Sequence, residues 1–220
     1  MLYKSLFKDR VDAGQKLAGA LSPYKGLDVI VFALPRGGVV LGYEIAKRLG
    51  APLDLIITRK IGYPGNEECA VCAVAEDGHM ICDSSVKNLI DERWLGEQVQ
   101  KEMIEAKRRR EAYLKGRVPL AAQGKTAIIV DDGVATGLTL MLAIKELRHR
   151  NPERTVVAVP VASQEAARMI RQEADELVAL DIPNYFYAVG AHYERFPQLT
   201  DDEVIEIMEM AGSLAGSSGD

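Results

Sequence analysis

The sequence is poor in cysteine, in aromatic residues and in long apolar runs. Its 220 residues include three cysteines, one tryptophan and 6% aromatic side chains. Three cysteines are an odd and sparse set, which argues against a disulfide framework and favours a reducing compartment. The longest purely apolar run, from Val156 to Ala162, is far shorter than the roughly 20 residues that span a bilayer. We therefore expect no transmembrane helix.

A strong charge of either sign is also missing. The chain has 27 basic and 32 acidic residues, which gives a formal net charge of −5. Binding along a nucleic-acid backbone needs a basic surface that releases counterions, so this balance disfavours nucleic acid as a partner. Lys4, Lys8, Asp9 and Arg10 interrupt any apolar signal core at the N-terminus. We expect a cytoplasmic protein that does not bind membranes.

The 48% of hydrophobic residues is enough for a buried core, and their order along the chain indicates an α/β domain. Apolar, β-branched runs alternate with helical patterns. The runs are Asp28–Ala33, Leu53–Thr58, Lys125–Val130, Thr155–Val161 and Glu176–Leu180. This alternation predicts a doubly wound, mainly parallel sheet with helices on both faces. In such sheets ligands bind at the carboxyl ends of the strands.

We predict a single domain over residues 1–210 and a disordered tail over residues 211–220, which are rich in alanine, glycine and serine. The core covers about residues 25–182. An inserted hairpin and a long, mostly exposed helix cover about residues 69–116, and a C-terminal hood, with a small flap region beside it, covers about residues 183–210.

Cys69 and Cys72 of the inserted hairpin have the CxxC spacing of metal and redox sites. Residues three apart on a strand point to opposite faces, so two such thiols do not easily share one ion. The sequence has no second cysteine pair or neighbouring histidine pair to complete a zinc site. We interpret these two cysteines as small buried hydrophobic residues.

The most informative local pattern follows the run that ends at Val130. Asp131 and Asp132 come at the strand exit, and the chain then passes through small residues and the hydroxyls of Thr136 and Thr139 into a helix. The backbone N–H groups at a helix start bind phosphate. Two carboxylates would repel that phosphate, so we expect them to face a ribose diol or a metal ion. The pattern therefore predicts a site for a phosphorylated sugar.

This stretch resembles the signature with which type I phosphoribosyltransferases bind 5-phosphoribosyl 1-pyrophosphate (PRPP). Pro35-Arg36-Gly37-Gly38 is similar to the pyrophosphate loop of that family, and residues 59–68 resemble its mobile catalytic loop. Two positions depart from the family pattern: Leu138 stands where a small residue is usual, and Ala135 where some purine-specific members have an acid. Further similarity to a poorly characterised bacterial subgroup, including Phe7, Asp9-Arg10 and Tyr193, extends over nearly the whole chain.

The resemblance implies a fold, a reaction and a set of site residues. The reaction is displacement of pyrophosphate from PRPP by a nitrogen acceptor of the nucleobase type, with Mg²⁺ as cofactor, in a protein that self-associates. Asp131 and Asp132 would hold the ribose hydroxyls and offer carboxylates to Mg²⁺. Arg59 and Lys60 would close over the leaving group, and Lys60 would stabilise its charge. The resemblance also implies 5-phosphate binding by Ala135, Thr136, Gly137, Leu138 and Thr139, and pyrophosphate binding by Arg36, Gly37 and Gly38. From the aromatic residues beyond the last strand, we expect an acceptor side with Val134, Tyr187 and Tyr193.

Two alternatives share the same site. A non-catalytic sensor of PRPP or nucleotides would keep the phosphate turn and could lose the leaving-group residues, so the presence of Arg36, Arg59 and Lys60 favours an enzyme. A hydrolase or phosphorylase of ribosyl phosphates would differ only in the nucleophile. The sequence does not identify the acceptor.

Overall fold

A computed structural model describes residues 5–76, 78–83 and 90–216, with the backbone alone described at 66–70 and 214–216. The strands are β1 Val29–Ala33, β2 Leu53–Leu55, β3 Thr58–Tyr63, β4 Asn66–Ala75, β5 Met80–Cys82, β6 Thr126–Val130, β7 Arg154–Val161 and β8 Glu176–Asp181. The α-helices are α1 Arg10–Ala20, α2 Gly37–Leu49, α3 Glu92–Leu114, α4 Leu138–His149, α5 Gln164–Glu173 and α6 Asp201–Gly216.

Five strands form a parallel sheet in the order β2-β1-β6-β7-β8, which confirms the predicted doubly wound architecture. Successive side chains of β1 enter different cores. Val29, Val31 and Ala33 pack with α1, α2 and α6, whereas Ile30 and Phe32 pack with α4 and α5. Because both faces of the sheet are covered, its central strands are continuous apolar runs. This is why they could be located from the sequence.

The register of the sheet brings three strand exits together. Ala33 at the end of β1 lies opposite Leu55 of β2 on one side and opposite Val130 of β6 on the other. The segments that follow β1, β2 and β6 therefore emerge at the same edge. This edge is where ligands bind in parallel α/β sheets.

A second, antiparallel sheet of β3, β4 and β5 packs against α3 and α4; we call residues 58–82 the flap. The predicted hairpin between β4 and β5 is confirmed. Two other predictions were wrong: β2 ends at Leu55, and residues 59–68 form most of a hairpin and not a loop. Pro64 and Gly65 lie at its turn, where Gly65 has a φ of 82°.

Cys72 is buried, as predicted, but it is disulfide-bonded to Cys82, so the expectation that the cysteines form no disulfide was wrong. The two cysteines are direct cross-strand partners on β4 and β5. The spacing of cysteines within one strand does not reveal this bond, because the register between β4 and β5 decides which residue lies opposite Cys72. The side chain of Cys69 lies outside the described residues.

The C-terminal helix α6 extends through Ala211 to Gly216, where a disordered tail was predicted. Val204, Met208 and Ala211 are spaced to share one face of α6 and are buried in the core that also contains α2 and α3. Packing of this face outweighs the weak helix preference of the glycine and serine that follow. Residues 217–220 of the predicted tail lie outside the described part.

Between β8 and α6 the chain forms an irregular segment, residues 183–200, which we call the hood loop. It contains one turn of 3₁₀ helix, Val189–His192. The start of the chain pairs with it, since Phe7 and Leu6 donate backbone hydrogen bonds to the carbonyl of His192. Within the described ranges, no helix is both long and apolar enough to cross a membrane.

Candidate functional site

A cleft of about 440 Å³ opens at the carboxyl edge of the parallel sheet. Its walls come from the segments after β1 and β6, from the start of β3 and from the hood loop. The predicted site residues among its lining are Arg36, Gly37, Arg59, Lys60, Asp131, Asp132, Val134, Ala135, Thr136, Gly137 and Thr139. The structure thus gathers most of the predicted residues, which are far apart in the sequence, around one cavity.

The loop after β1 approaches the end of β6 very closely. A Cβ atom added to Gly37 would lie 1.8 Å from Oδ2 of Asp132, and one added to Gly38 would lie 2.6 Å from the carbonyl oxygen of Val130. Gly37 lines the cleft, whereas Gly38 is buried beneath it. The side chain of Arg36 lies 3.8 Å from Oδ1 of Asp201, at the start of α6. Glycine is therefore required here by packing against the end of β6 and the acid that follows it.

Asp131 and Asp132 lie side by side at the end of β6. Oδ1 of Asp131 accepts a hydrogen bond of 2.8 Å from the N–H of Asp132. Burial, followed by the negative charge of Asp132, raises the pKa of Asp131 well above its usual value. Burial also raises the pKa of Asp132, although the nearby guanidinium of Arg10 opposes this. Such a pair favours a cation or hydroxyl donors beside it.

The phosphate turn, residues 135–139, has the predicted form of a helix start. Gly137 precedes the first residue of α4 with a φ of 83°, and the carbonyl of Ala135 accepts a hydrogen bond of 2.6 Å from the hydroxyl of Ser163. The side chain of Leu138 is buried with Ala73 and Leu142 in a small core under the flap. Leu138 can therefore contribute to phosphate binding only through its backbone N–H.

The two cations of β3 have different surroundings. Nε of Arg59 lies 2.7 Å from Oε2 of Glu102 on α3, and both side chains are largely buried. Lys60 lies in the cleft wall, and its charge lowers the pKa of both acids against the larger effect of burial. Lys60 is therefore placed to meet an anion in the cleft, whereas Arg59 is engaged by a carboxylate.

The predicted acceptor residues are not brought together. Val134 lines the cleft, but Tyr187 is 93% exposed on the hood loop. Tyr193 is buried, and its hydroxyl donates a hydrogen bond of 2.6 Å to the carbonyl oxygen of Asp132. The hood loop instead contributes Val189 and Phe196 to the cleft wall. Pairing of the hood loop with the start of the chain turns Tyr193 inward, and this long-range pairing has no local sequence signal.

Sequence reasoning also missed Arg10, the first residue of α1. Its Nε lies 2.7 Å from Oδ2 of Asp132, and its Nη1 donates a hydrogen bond of 2.6 Å to the carbonyl of Pro197. The only available signal was that Asp9-Arg10 fits the pattern of the bacterial subgroup. That similarity does not show that the side chain turns inward to reach a carboxylate at the end of β6.

The donor set of the cleft fits Mg²⁺ held jointly with a substrate. Among the residues that the structure describes, no three or more His, Cys, Asp or Glu side chains form a cluster that could hold a metal ion. Mg²⁺ is commonly bound by one or two carboxylates together with substrate phosphates and water. Asp131 and Asp132 are carboxylates of this type on the cleft wall.

Comparison with known proteins identifies the family of the chain. The family model for the phosphoribosyl transferase domain matches residues 5–194. The chain belongs to this family.

This phosphoribosyl transferase domain has similar relatives in Mycobacterium tuberculosis and Thermus thermophilus. It is 40% identical over 208 residues to "Putative phosphoribosyl transferase Rv0571c" of Mycobacterium tuberculosis, an alignment that covers 94% of this chain and 47% of that protein. The chain thus spans about half the length of the curated relatives it matches. It is 42% identical to the crystal structure of TT1426 from Thermus thermophilus, with a TM-score of 0.76 and coverage of 92% of this chain and 97% of that one.

Proposed function

We propose that the chain is a PRPP-dependent phosphoribosyltransferase that moves the 5-phosphoribosyl group to a nitrogen acceptor, of the nucleobase-like heterocycle class, and releases pyrophosphate. One observation carries the proposal. The cleft combines the phosphate turn, the two acids that follow β6 and the cations Arg36, Arg59 and Lys60 at one sheet edge. This sequence of donors, acids and cations matches the phosphate, sugar diol and pyrophosphate of PRPP.

In the proposed complex the backbone N–H groups of the phosphate turn bind the 5-phosphate, together with the hydroxyls of Thr136 and Thr139. The ribose hydroxyls donate to Asp131 and Asp132. Because Oδ2 of Asp132 already accepts from Arg10, the ribose meets the remaining carboxylate oxygens. The pyrophosphate then lies toward Arg36 and Gly37.

The reaction forms a bond from the acceptor nitrogen to the anomeric carbon while the bond from that carbon to pyrophosphate breaks. Pyrophosphate leaves with the electron pair, and the acceptor loses its proton to solvent. Since the anomeric carbon develops positive charge, catalysis consists mainly of placement and charge stabilisation. Lys60 stabilises the leaving pyrophosphate, and Arg59 joins it by exchanging Glu102 for phosphate. When bound, Mg²⁺ supplies further neutralisation of pyrophosphate, and Asp131 and Asp132 are the residues that would hold it.

The first experiment tests the site. In the double variant Asp131→Asn/Asp132→Asn, the binding of PRPP in the presence of Mg²⁺ should collapse, because the diol and the metal lose their carboxylates. Isothermal titration calorimetry measures this. Asp28→Asn, which changes an exposed acid paired with Lys125, should leave the titration unchanged. A wild-type titration curve in the double variant would contradict the site.

The second experiment tests the reaction. We expect the protein, given PRPP, Mg²⁺ and a panel of nitrogen heterocycles, to release pyrophosphate only when an acceptor is present. Saturable PRPP binding without pyrophosphate release for any acceptor would favour a sensor. Release of pyrophosphate and ribose 5-phosphate without an acceptor would favour a hydrolase.

Two broader parts of the proposal rest on the resemblance and on composition. Self-association is implied by the family, and light scattering coupled to size-exclusion chromatography tests it. A cytoplasmic location is inferred from the composition, and fractionation of cells that produce the protein tests it.

A further inference from the structure

Arg10 is a buried cation on α1 that contacts Asp132, the second acid after β6. Its side chain is 10% exposed and that of Asp132 is 15% exposed, and Nε and Oδ2 are 2.7 Å apart. An ion pair out of water is costly unless its geometry is good and its remaining donors are satisfied. Two well-packed apolar side chains of similar size would stabilise the fold at least as well as this ion pair. We therefore expect the ion pair to have a role that depends on Asp132.

The guanidinium of Arg10 is held by the hood loop. Its Nη1 donates a hydrogen bond to the carbonyl of Pro197, and its Cζ lies 3.7 Å from the centre of the Phe196 ring. Phe196 lines the cleft, and its ring centre lies 4.7 Å from that of Tyr193. Since the Tyr193 hydroxyl donates to the carbonyl of Asp132, Asp132 is held by both its side chain and its main chain.

We propose that Arg10 is a positioning residue for the sugar of PRPP: it fixes the rotamer of Asp132 so that one carboxylate oxygen stays directed at the ribose, and it links the hood loop to that carboxylate. This assignment rests on the proposed function. Arginine suits the position because its planar group can stack on a ring and donate in two directions at once. A lysine ammonium cannot stack in this way.

The test compares the PRPP affinity and the thermal stability of Arg10→Gln and Arg10→Lys with those of the wild type, using the full chain and Mg²⁺. We expect Arg10→Gln to weaken PRPP binding by about ten-fold or more and Arg10→Lys by less. An Arg10→Ala variant should recover part of its PRPP affinity in methylguanidinium, and none in sodium chloride of equal ionic strength. A residue with a purely structural role would change the melting temperature without this pattern of affinities.

The matched control is Arg195→Gln. Arg195 and Asp9 form an ion pair of 2.6 Å between the same two segments of chain, but Arg195 is exposed at the surface. Its loss should leave PRPP affinity at the wild-type value.

Folded Arg10→Gln that binds PRPP as tightly as the wild type would overturn the assignment. If Arg10→Gln does not fold, Arg10→Lys decides, and wild-type affinity in that variant would overturn it equally. A wild-type protein that does not bind PRPP would instead refute the proposed function, and this assignment with it. The two failures are thus distinguishable by the wild-type titration.

Discussion

The tightest packing of a glycine in the site is that of Gly37 against Asp132. An alanine Cβ at position 37 would lie 1.8 Å from a carboxylate oxygen, which is far inside van der Waals contact. Neither the backbone of α2 nor the clamped side chain of Asp132 is free to move away. The position of the Asp132 carboxylate therefore requires glycine at residue 37.

Gly37→Ala should displace Asp132 and lower both stability and function. We expect a loss of about 1–3 kcal/mol in the free energy of unfolding, which is typical of overpacking, together with weaker PRPP binding. Urea unfolding and calorimetry measure the two effects. Gly96→Ala is the control, because Gly96 is exposed in α3 and an added Cβ would meet nothing within 4 Å. That variant should be stabilised by up to about 1 kcal/mol. Equal behaviour of the two variants would show that the contact at Gly37 is unimportant.

Asp131→Asn should make the protein more stable at neutral pH while weakening its binding of PRPP. Burial raises the pKa of Asp131 above that of the unfolded chain, so the folded protein holds this proton more tightly. At a pH above this raised pKa, ionisation of Asp131 lowers the free energy of unfolding. This loss disappears below about 3.9, the pKa of an aspartate in the unfolded chain. Asparagine has no such cost and can still accept the hydrogen bond from Asp132. Urea unfolding at pH 7 and at pH 4 should show a stabilisation at pH 7 only. A destabilised variant at pH 7 would contradict the expected direction.

At the scale of elements, the parallel sheet could be predicted and the flap only in part. Strands that are buried on both faces are continuous apolar runs, so the order of apolar residues in the sequence predicts β1, β6 and β7. In contrast, β3 contains Arg59 and Lys60 and ends near proline and glycine, which are features of a loop. Its strand form depends on pairing with β4, and cross-strand pairing over a turn is set by tertiary context. The segment that resembles a mobile catalytic loop is therefore mostly part of a paired hairpin in the structure.

Glu102→Gln should free Arg59 and strengthen the binding of pyrophosphate with Mg²⁺. The ion pair of 2.7 Å between Arg59 and Glu102 must break before Arg59 can reach phosphate. If breaking it costs about 0.5–1 kcal/mol, its loss should raise affinity by about two- to five-fold. Calorimetry measures this, and Glu97→Gln on the same helix, which removes an exposed pair with Arg93, should have no effect. Weaker binding in Glu102→Gln would show that Glu102 orients Arg59 in the complex as well.

At the scale of the whole molecule, both ends of the described chain contribute to the fold and the site. Asp131, Asp132, Arg36 and Lys60 could be placed together from the sequence, because the exits of neighbouring parallel strands share an edge. Arg10 and Phe196 could not, since they reach the cleft only after the start of the chain pairs with the hood loop. The burial of α6 likewise depends on contacts with distant helices.

Substitution of two methionines of α6, one buried and one exposed, can test whether this helix packs against the core. Met208 is 1% exposed and Met210 is 41% exposed. Met208→Ala should lower the free energy of unfolding by about 2–5 kcal/mol, because it leaves a cavity between α6 and the rest of the core. Met210→Ala should change it by less than about 0.5 kcal/mol. Urea unfolding of both variants measures the difference, and similar small losses would mean that α6 is not packed against the core in solution.

The insertion of the flap and α3 between β2 and β6 has a consequence for the kinetics of folding. β1 and β6 are neighbours in the sheet, with Val29 opposite Thr126, although about 100 residues separate them. Pairing these strands closes a long loop, yet halving that loop would reduce the closure entropy by only about 0.6 kcal/mol. Through closure entropy alone, halving or doubling this loop therefore changes the rate of pairing between β1 and β6 by only about three-fold.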